Sequence, residues 1–286
     1  MSDDLGNREL DDLIVVGPEI RVTETRILKG PADEPVVVEQ VFGDGTRNKT
    51  RLVNSERKNP LPIFVFWDET VRPEQQILIR EAMGELVDAV GLQKDGLHFY
   101  GNWHEEVYRD ASGKLLSNKS IAWQVESKWN PVRNQVDAGQ VAGGMYDDPY
   151  QLAAPHWEVI FTNKDLYSEE TNFVIGGAIP DLGTIMSLVR FDTVQDPKLR
   201  DECIKTEIFH EVGHVLGLIE DAREANIEHS LGTHCTNRGC SMKQGLRVPR
   251  DWIEFTQERL EVGGQPFCEE GTDYLGGKFE GGKISS

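Results

Sequence analysis

The segment DPKLRDECIKTEIFHEVGHVLGLI, residues 196–219, decides how this sequence is interpreted. An apolar residue recurs at every fourth position within it, at Ile204, Ile208, Val212 and Leu216. A stripe with this spacing lies along one face of an α-helix and packs against a core. We therefore predict a buried helix over residues 196–219.

The same segment contains an H-E-x-x-H pattern from His210 to His214. Residues four apart on a helix are separated by about 40° of rotation and one turn of rise. Both imidazoles can therefore reach one tetrahedral Zn²⁺ at about 2.0–2.1 Å. Glu211 would lie beside the zinc-bound water and take its proton as general base. The pattern predicts one catalytic zinc ion and hydrolytic chemistry.

Several residues could supply a third zinc ligand. Gly217 allows the chain to leave the helix sharply and turn back towards the metal. In the metzincin pattern the ligand follows three residues after this glycine, where the sequence has Glu220 with Asp221 beside it. His229 is a further candidate, and a glutamate ligand of the thermolysin type could come from Glu224 or Glu228.

A second string lies downstream, from His234 to Met242, and reads HCTNRGCSM. It resembles the signature of the archaemetzincin family, in which a third histidine ligand is followed by two cysteines and the Met-turn methionine. The resemblance implies that His234 is the third ligand and that Met242 lies under the metal. In that family the string directly follows the zinc helix, so residues 220–233 are interpreted as an insertion that could act as a lid.

The resemblance covers about residues 157–242, with weaker similarity over 61–91. It implies an α+β, metzincin-like zincin: a twisted mixed sheet, a zinc-binding active-site helix and a small C-terminal subdomain with a Met-turn. We expect residues 1–60 to form an N-terminal extension or edge subdomain. The metallopeptidase domain then spans 61–286, divided into subdomains 61–219 and 220–286.

The apolar pattern supports this arrangement independently of the resemblance. Buried strands are predicted at Ile63–Trp67, at Trp157–Phe161 and from Thr184 to Val189. Helices are predicted from Pro73, where proline suits the first turn, and from Pro249.

Four cysteines do not make a disulfide scaffold in a chain of this length. The archaemetzincin resemblance implies a second, structural zinc site built from four cysteines. Here Cys235, Cys240 and Cys268 are available, but the C-x-x-C ending is missing. Cys203, on the zinc helix, is expected to face elsewhere. A complete four-cysteine site is therefore not expected, and a three-cysteine site or buried thiols remain as alternatives.

The chain has 286 residues and a formal net charge of −19. So acidic a protein lacks the basic face that nucleic acids and anionic membranes require. The first residues do not resemble a signal peptide, and no apolar run approaches the length of a membrane span, which predicts a cytoplasmic protein. The segment 220–233 carries a net charge of −3 beside the expected cleft, which suggests cationic substrates.

Together these features predict a zinc metallopeptidase, either an endopeptidase or an aminopeptidase, that acts on peptide or protein substrates. Two alternatives stay open at this point. One is a zinc-binding interaction or regulatory protein with little proteolytic activity, and the other is a metallohydrolase that acts on something other than a peptide.

Overall fold

A computed structural model describes residues 60–102, 121–146, 155–169, 171–219, 225–229 and 232–271, and the backbone of six short strands between residues 22 and 120. In chain order its strands and α-helices are β1 (Val22–Leu28), β2 (Val36–Phe42), β3 (Arg47–Leu52), β4 (Ile63–Trp67), α1 (Pro73–Ala89), β5 (Leu97–Gly101), β6 (His104–Glu105), β7 (Tyr108–Arg109), β8 (Lys119–Ser120), α2 (Ile121–Glu126), β9 (Trp129–Asn130), β10 (Gln135–Asp137), α3 (Ala138–Met145), β11 (Trp157–Thr162), β12 (Leu166–Ser168), β13 (Thr171–Val174), β14 (Gly176–Ile179), β15 (Gly183–Ser187), α4 (Pro197–Val215), β16 (Ile227–Glu228), β17 (His234–Cys235) and α5 (Arg250–Glu261).

A five-stranded mixed sheet forms the centre of the fold, with the order β14-β15-β11-β4-β5. Strands β15, β11, β4 and β5 pair in parallel, whereas β14 pairs antiparallel with β15 at one edge. Both faces of such a sheet are covered, so its strands are continuous apolar runs rather than alternating ones. The strands predicted around Ile63–Trp67 and Trp157–Phe161 are confirmed.

The alternation of side chains along β4 assigns each face of the sheet to a different core. Val65 and Trp67 pack with residues of α1 and α4 in the larger core, whereas Phe64 and Phe66 pack with α2 and α3 in a second one. Successive side chains of a strand point to opposite faces, which accounts for this division. The zinc helix of the sequence prediction thus lies against one face of the sheet, next to α1.

Four smaller sheets complete the strand pairing, and one of them involves the N-terminal residues. Strands β3, β2 and β1 pair antiparallel, and β1 also pairs with β7 in parallel. The domain boundaries at residues 60 and 219 stay a prediction. Within the described part of the chain, no helix combines the length and hydrophobicity that crossing a membrane requires. The cytoplasmic location likewise stays a prediction.

The predicted helix over residues 196–219 is confirmed, but it ends earlier. Helix α4 begins after Asp196, whose side chain accepts a hydrogen bond from the Lys198 amide, and it ends at Val215. Gly217 has a φ of +67°, and this left-handed conformation turns the chain away from the helix axis. The last turn of the predicted helix is therefore a turn and a bend, in which Leu218 and Ile219 are buried in the larger core.

Candidate metal centre and cleft

Helix α4 presents His210 and His214 on one side, as the H-E-x-x-H spacing predicts. Their Nε2 atoms are 3.2 Å apart. Two nitrogens that bind one tetrahedral zinc at about 2.05 Å are separated by about 3.3 Å. The two rings are therefore already at the spacing of a shared metal ion.

His234 lies on the short strand β17, and the structure brings it to the same point. Its ring centroid is 5.2 Å from that of His210 and 5.0 Å from that of His214. One ring nitrogen from each histidine falls within 4.8 Å of the others. Strand β17 is held by antiparallel pairing with β16 and by a hydrogen bond from the Cys235 amide to the Met242 carbonyl. These backbone hydrogen bonds thus fix the position of the His234 imidazole beside the other two.

Hydrogen bonding of His210 assigns its tautomer. Its Nδ1 is 2.9 Å from the carbonyl oxygen of Ser241, which can only accept. Nδ1 therefore carries the proton, and Nε2 directs a lone pair towards His214. A backbone partner that orients the far nitrogen is typical of metal-binding histidines.

The three imidazoles are neutral in this environment. Burial, together with the neighbouring His234, lowers the pKa of His210 to about 4. Burial also lowers the pKa of His214 and of His234. Three neutral imidazoles that converge in one place match the donor set of a zinc ion.

Glu211 is buried against the edge strand β14. A Cβ atom placed on Gly176 would lie 2.5 Å from Cδ and 2.6 Å from Oε1 of Glu211, so only glycine leaves room for this carboxyl group. Burial, with Glu207 nearby, raises the pKa of Glu211 well above its usual range, while a hydrogen bond from Thr184 lowers it. The carboxyl group is therefore fixed in position and has a high affinity for a proton.

Met242 packs against α4 at Gly213, next to His214. It is fully buried, and its Sδ atom packs directly against Gly213, the fourth residue of the H-E-x-x-H pattern. A side chain at residue 213 would occupy the place of this sulfur. The residue that the sequence predicts for the Met-turn is therefore in contact with α4.

The three cysteines Cys235, Cys240 and Cys268 form a second cluster, whose sulfurs lie within 4.8 Å of one another. The sulfurs of Cys235 and Cys268 are 3.8 Å apart, which is about the spacing of two thiolates on one tetrahedral zinc at 2.3 Å. Hydrogen bonds with the other two sulfurs lower the pKa of the Cys268 thiol. Hydrogen bonds with the other two sulfurs raise the pKa of the Cys240 thiol. Asn237 donates from its amide groups to the sulfurs of Cys235 and Cys268.

Other candidates from the sequence lie elsewhere. Cys203 is buried in the core, where burial raises its pKa to about 11, and it is not part of the cysteine cluster. His229 and Glu228 are among the described residues but do not belong to the histidine group. Glu220 and Asp221 lie outside the described residues.

The three histidines line an open cleft of about 1180 Å³. The edge strand β14 lines one part of it, and Gln244, Gly245, Leu246, Val248 and Trp252 of α5 line another. Glu207, one turn before His210, also lines the cleft, and its Oε2 accepts a 2.7 Å hydrogen bond from Trp252 Nε1. Burial raises the pKa of Glu207 to about 8.

Sequence reasoning missed Gly176, Glu207 and Trp252. Glu207 could have been found from helical spacing, because a residue three positions before His210 lies on the same face of the helix.

Comparison with known proteins points to one family name. No protein-family model matches the chain. The chain is 27% identical over 175 residues to the archaemetzincin of Methanopyrus kandleri, a match that covers 60% of this chain and 83% of the relative. The archaemetzincin of Nanoarchaeum equitans is 30% identical over 122 residues, covering 42% of this chain and 63% of the relative. The crystal structure of the Methanopyrus kandleri archaemetzincin superimposes with a TM-score of 0.53 at 19% identity, covering 79% of this chain and 99% of that structure, which establishes the fold.

Proposed function

Because the chain is archaemetzincin-like in sequence and in fold, we propose that it is a zinc metallopeptidase that uses the described cleft. The observation that carries the proposal is the convergence of His210, His214 and His234 beside the buried carboxyl group of Glu211. A purely structural metal site has no need of an adjacent carboxylate that lines an open cleft.

The three histidines would hold the catalytic zinc. Their neutral state, the 3.2 Å separation of two Nε2 atoms and the proton on Nδ1 of His210 all favour a bound cation at their centre. A zinc ion bound there would supply Lewis acidity, which polarises the scissile carbonyl and lowers the pKa of a water molecule. The Ser241 carbonyl would orient the His210 ring, and Met242 would support the histidine pair from below.

Glu211 would transfer the proton from the attacking water to the departing amine. Its carboxylate would accept a proton from the attacking water and then release it to the nitrogen of the departing amine. Gly176 keeps that carboxylate at one place on the cleft wall, so its position does not depend on the substrate. The edge strand β14 lines the cleft and could pair with an extended peptide.

We further propose that Cys235, Cys240 and Cys268 hold a second, structural zinc. The support is the tight sulfur cluster and the two amide donors of Asn237 directed at its sulfurs, which are the outer contacts that stabilise metal-bound thiolates. No fourth cysteine is involved, since Cys203 is buried elsewhere in the core.

A matched pair of variants tests the catalytic proposal. His210→Ala should lose the catalytic zinc and all cleavage of a peptide library, whereas Glu211→Gln should retain zinc and lose cleavage. His229→Ala, outside the histidine group, is the control and should keep both. Peptides with free and with acetylated N-termini separate an aminopeptidase from an endopeptidase. A wild-type protein that binds zinc but cleaves neither kind of peptide would contradict the proposal and favour a binding role or another substrate.

A further inference from the structure

Glu207 has no role in the proton transfers described above, yet it is placed in the cleft wall. It lies on α4 three residues before His210, and no part of its side chain is exposed. Trp252 Nε1 satisfies one carboxyl oxygen, but the other, Oε1, is buried without a hydrogen-bond partner. A buried acceptor without a partner costs free energy, so it marks a place where a ligand group would be stabilised.

Gln244, on the same wall, also has a buried acceptor oxygen without a hydrogen-bond partner. The side-chain amide of Gln244 donates a 3.0 Å hydrogen bond to the Gly245 carbonyl, while its own Oε1 is buried without a partner. Gln244 and Glu207 both line the cleft. Two unmatched acceptors on one wall favour a ligand that is rich in donors.

The charge of the cleft favours the same kind of ligand. Among the described residues that line it, the acidic ones are Asp181, Glu207 and Glu211, and none is lysine or arginine. The whole chain carries a formal net charge of −19. The lining thus offers acidic groups that a bound cation would ionise, and no lysine or arginine that would repel it.

The remainder of this wall is apolar. Leu246, Val248 and Trp252 line the cleft beside the acceptors, and Gly245 packs directly against the Trp252 ring. An apolar wall with an acid at its base suits a side chain with a long methylene stem and a charged tip. A cation at Oε1 would also favour the ionised form of Glu207.

We propose that this cleft selects peptides with lysine or arginine at a residue that flanks the scissile bond, and that Glu207 recognises the cationic head group with Gln244 as a second acceptor. The inference rests on the proposed function, because it names the substrate class of that same cleft.

The test uses the full chain loaded with zinc and acetylated peptides that differ at one flanking residue: lysine, arginine, norleucine or glutamate. Norleucine matches the length of the lysine stem without the charge. Lysine and arginine peptides should exceed norleucine peptides by about 10- to 100-fold in kcat/KM, the range expected of one charged hydrogen bond. In Glu207→Gln this ratio should fall to within about 3-fold.

Two further variants separate recognition from a structural role. Trp252→Phe removes the donor to Oε2 but leaves the carboxylate, so it should retain the preference for lysine. If Trp252→Phe loses the preference as fully as Glu207→Gln does, Glu207 acts only by holding Trp252, and the inference is wrong. Glu254→Gln makes the same substitution at an exposed residue of α5 that does not line the cleft, and it should also retain the preference.

An equilibrium measurement removes the dependence on turnover. The zinc-loaded Glu211→Gln protein should bind the lysine peptide about 10- to 100-fold more tightly than the norleucine peptide in calorimetry. If the wild type cleaves none of the peptides, the proposed function fails, and this binding ratio alone decides the inference. If lysine and norleucine peptides are cleaved or bound equally well, the inference is overturned while the peptidase proposal stands.

Discussion

Replacing Gly176 by alanine should move the proposed general base, Glu211, without removing it. The new Cβ would lie 2.5–2.6 Å from Cδ, Cγ and Oε1 of Glu211. Carbon contacts are normally about 3.5–4.0 Å, so the carboxyl group must retreat by about 1 Å. A displacement of about 1 Å in a catalytic group can cost about 100-fold in rate. We therefore expect kcat to fall about 100-fold while bound zinc is unchanged.

The neighbouring residue provides the control. A Cβ on Gly177 would meet only the Cβ of Ala138, at 3.6 Å, which is an ordinary contact. Gly177→Ala should thus retain kcat within about 3-fold, and any effect on peptide pairing at this strand edge should raise KM in both variants. Zinc content and steady-state kinetics on one peptide give the comparison. Equal kcat values for the two variants would refute the assigned role of Gly176.

Three other outcomes follow from the packing. Gly213→Ala improves helix propensity by about 1 kcal/mol but pushes against Met242 at a cost of about 1–3 kcal/mol. Urea denaturation should therefore show a net loss of about 0–2 kcal/mol in the free energy of unfolding, and a gain would contradict the contact. Cys240→Ser should reduce bound zinc from two ions per chain to one in metal analysis, whereas Cys203→Ser should leave two; equal zinc contents would remove the case for the second site. For Glu207, the folded pKa of about 8 exceeds the unfolded value of 4.5, so its contribution to the stability of the metal-free protein is present at low pH and is lost as pH rises through that window. Because the pKa of Glu211 is raised as well, Glu207→Gln should still lose stability with rising pH, but less steeply than the wild type. Parallel pH profiles for the two proteins would show that the carboxyl group is not buried as described.

Local sequence is enough to predict the helix that carries His210 and His214, but not the residues that surround it. The spacing of His210 and His214 fixes their relation because both belong to one helix. His234 is 20 residues further on, and no periodicity connects it to α4. Only the resemblance to a family signature selected it over Glu220 and Asp221, since the route of an inserted loop depends on tertiary contacts.

Glu207 and Gly176 were missed for different physical reasons. A glutamate between apolar helix positions normally faces water, and Glu207 is buried because Trp252, 45 residues later, covers it and donates a hydrogen bond. Gly176 is the first of two consecutive glycines, a pattern that predicts a turn or a bulge. The residue must be glycine because any Cβ atom there would clash with Glu211 on α4, and no local sequence pattern predicts that contact.

The histidine and cysteine clusters are joined through one short segment, residues 234–242. His234 precedes Cys235, and Cys240 precedes Ser241 and Met242, whose carbonyl oxygens accept hydrogen bonds from His210 and from the Cys235 amide. The cysteine cluster therefore holds both ends of the segment 234–242. This segment supplies the imidazole of His234, orients the imidazole of His210 and places the sulfur of Met242 against α4. A metal ion in the cysteine cluster would cross-link the segment to Cys268, which lies after α5. A loop that has been ordered in advance loses less entropy on metal binding. A metal ion in the cysteine cluster should therefore raise the affinity of the three histidines for zinc without contacting that zinc.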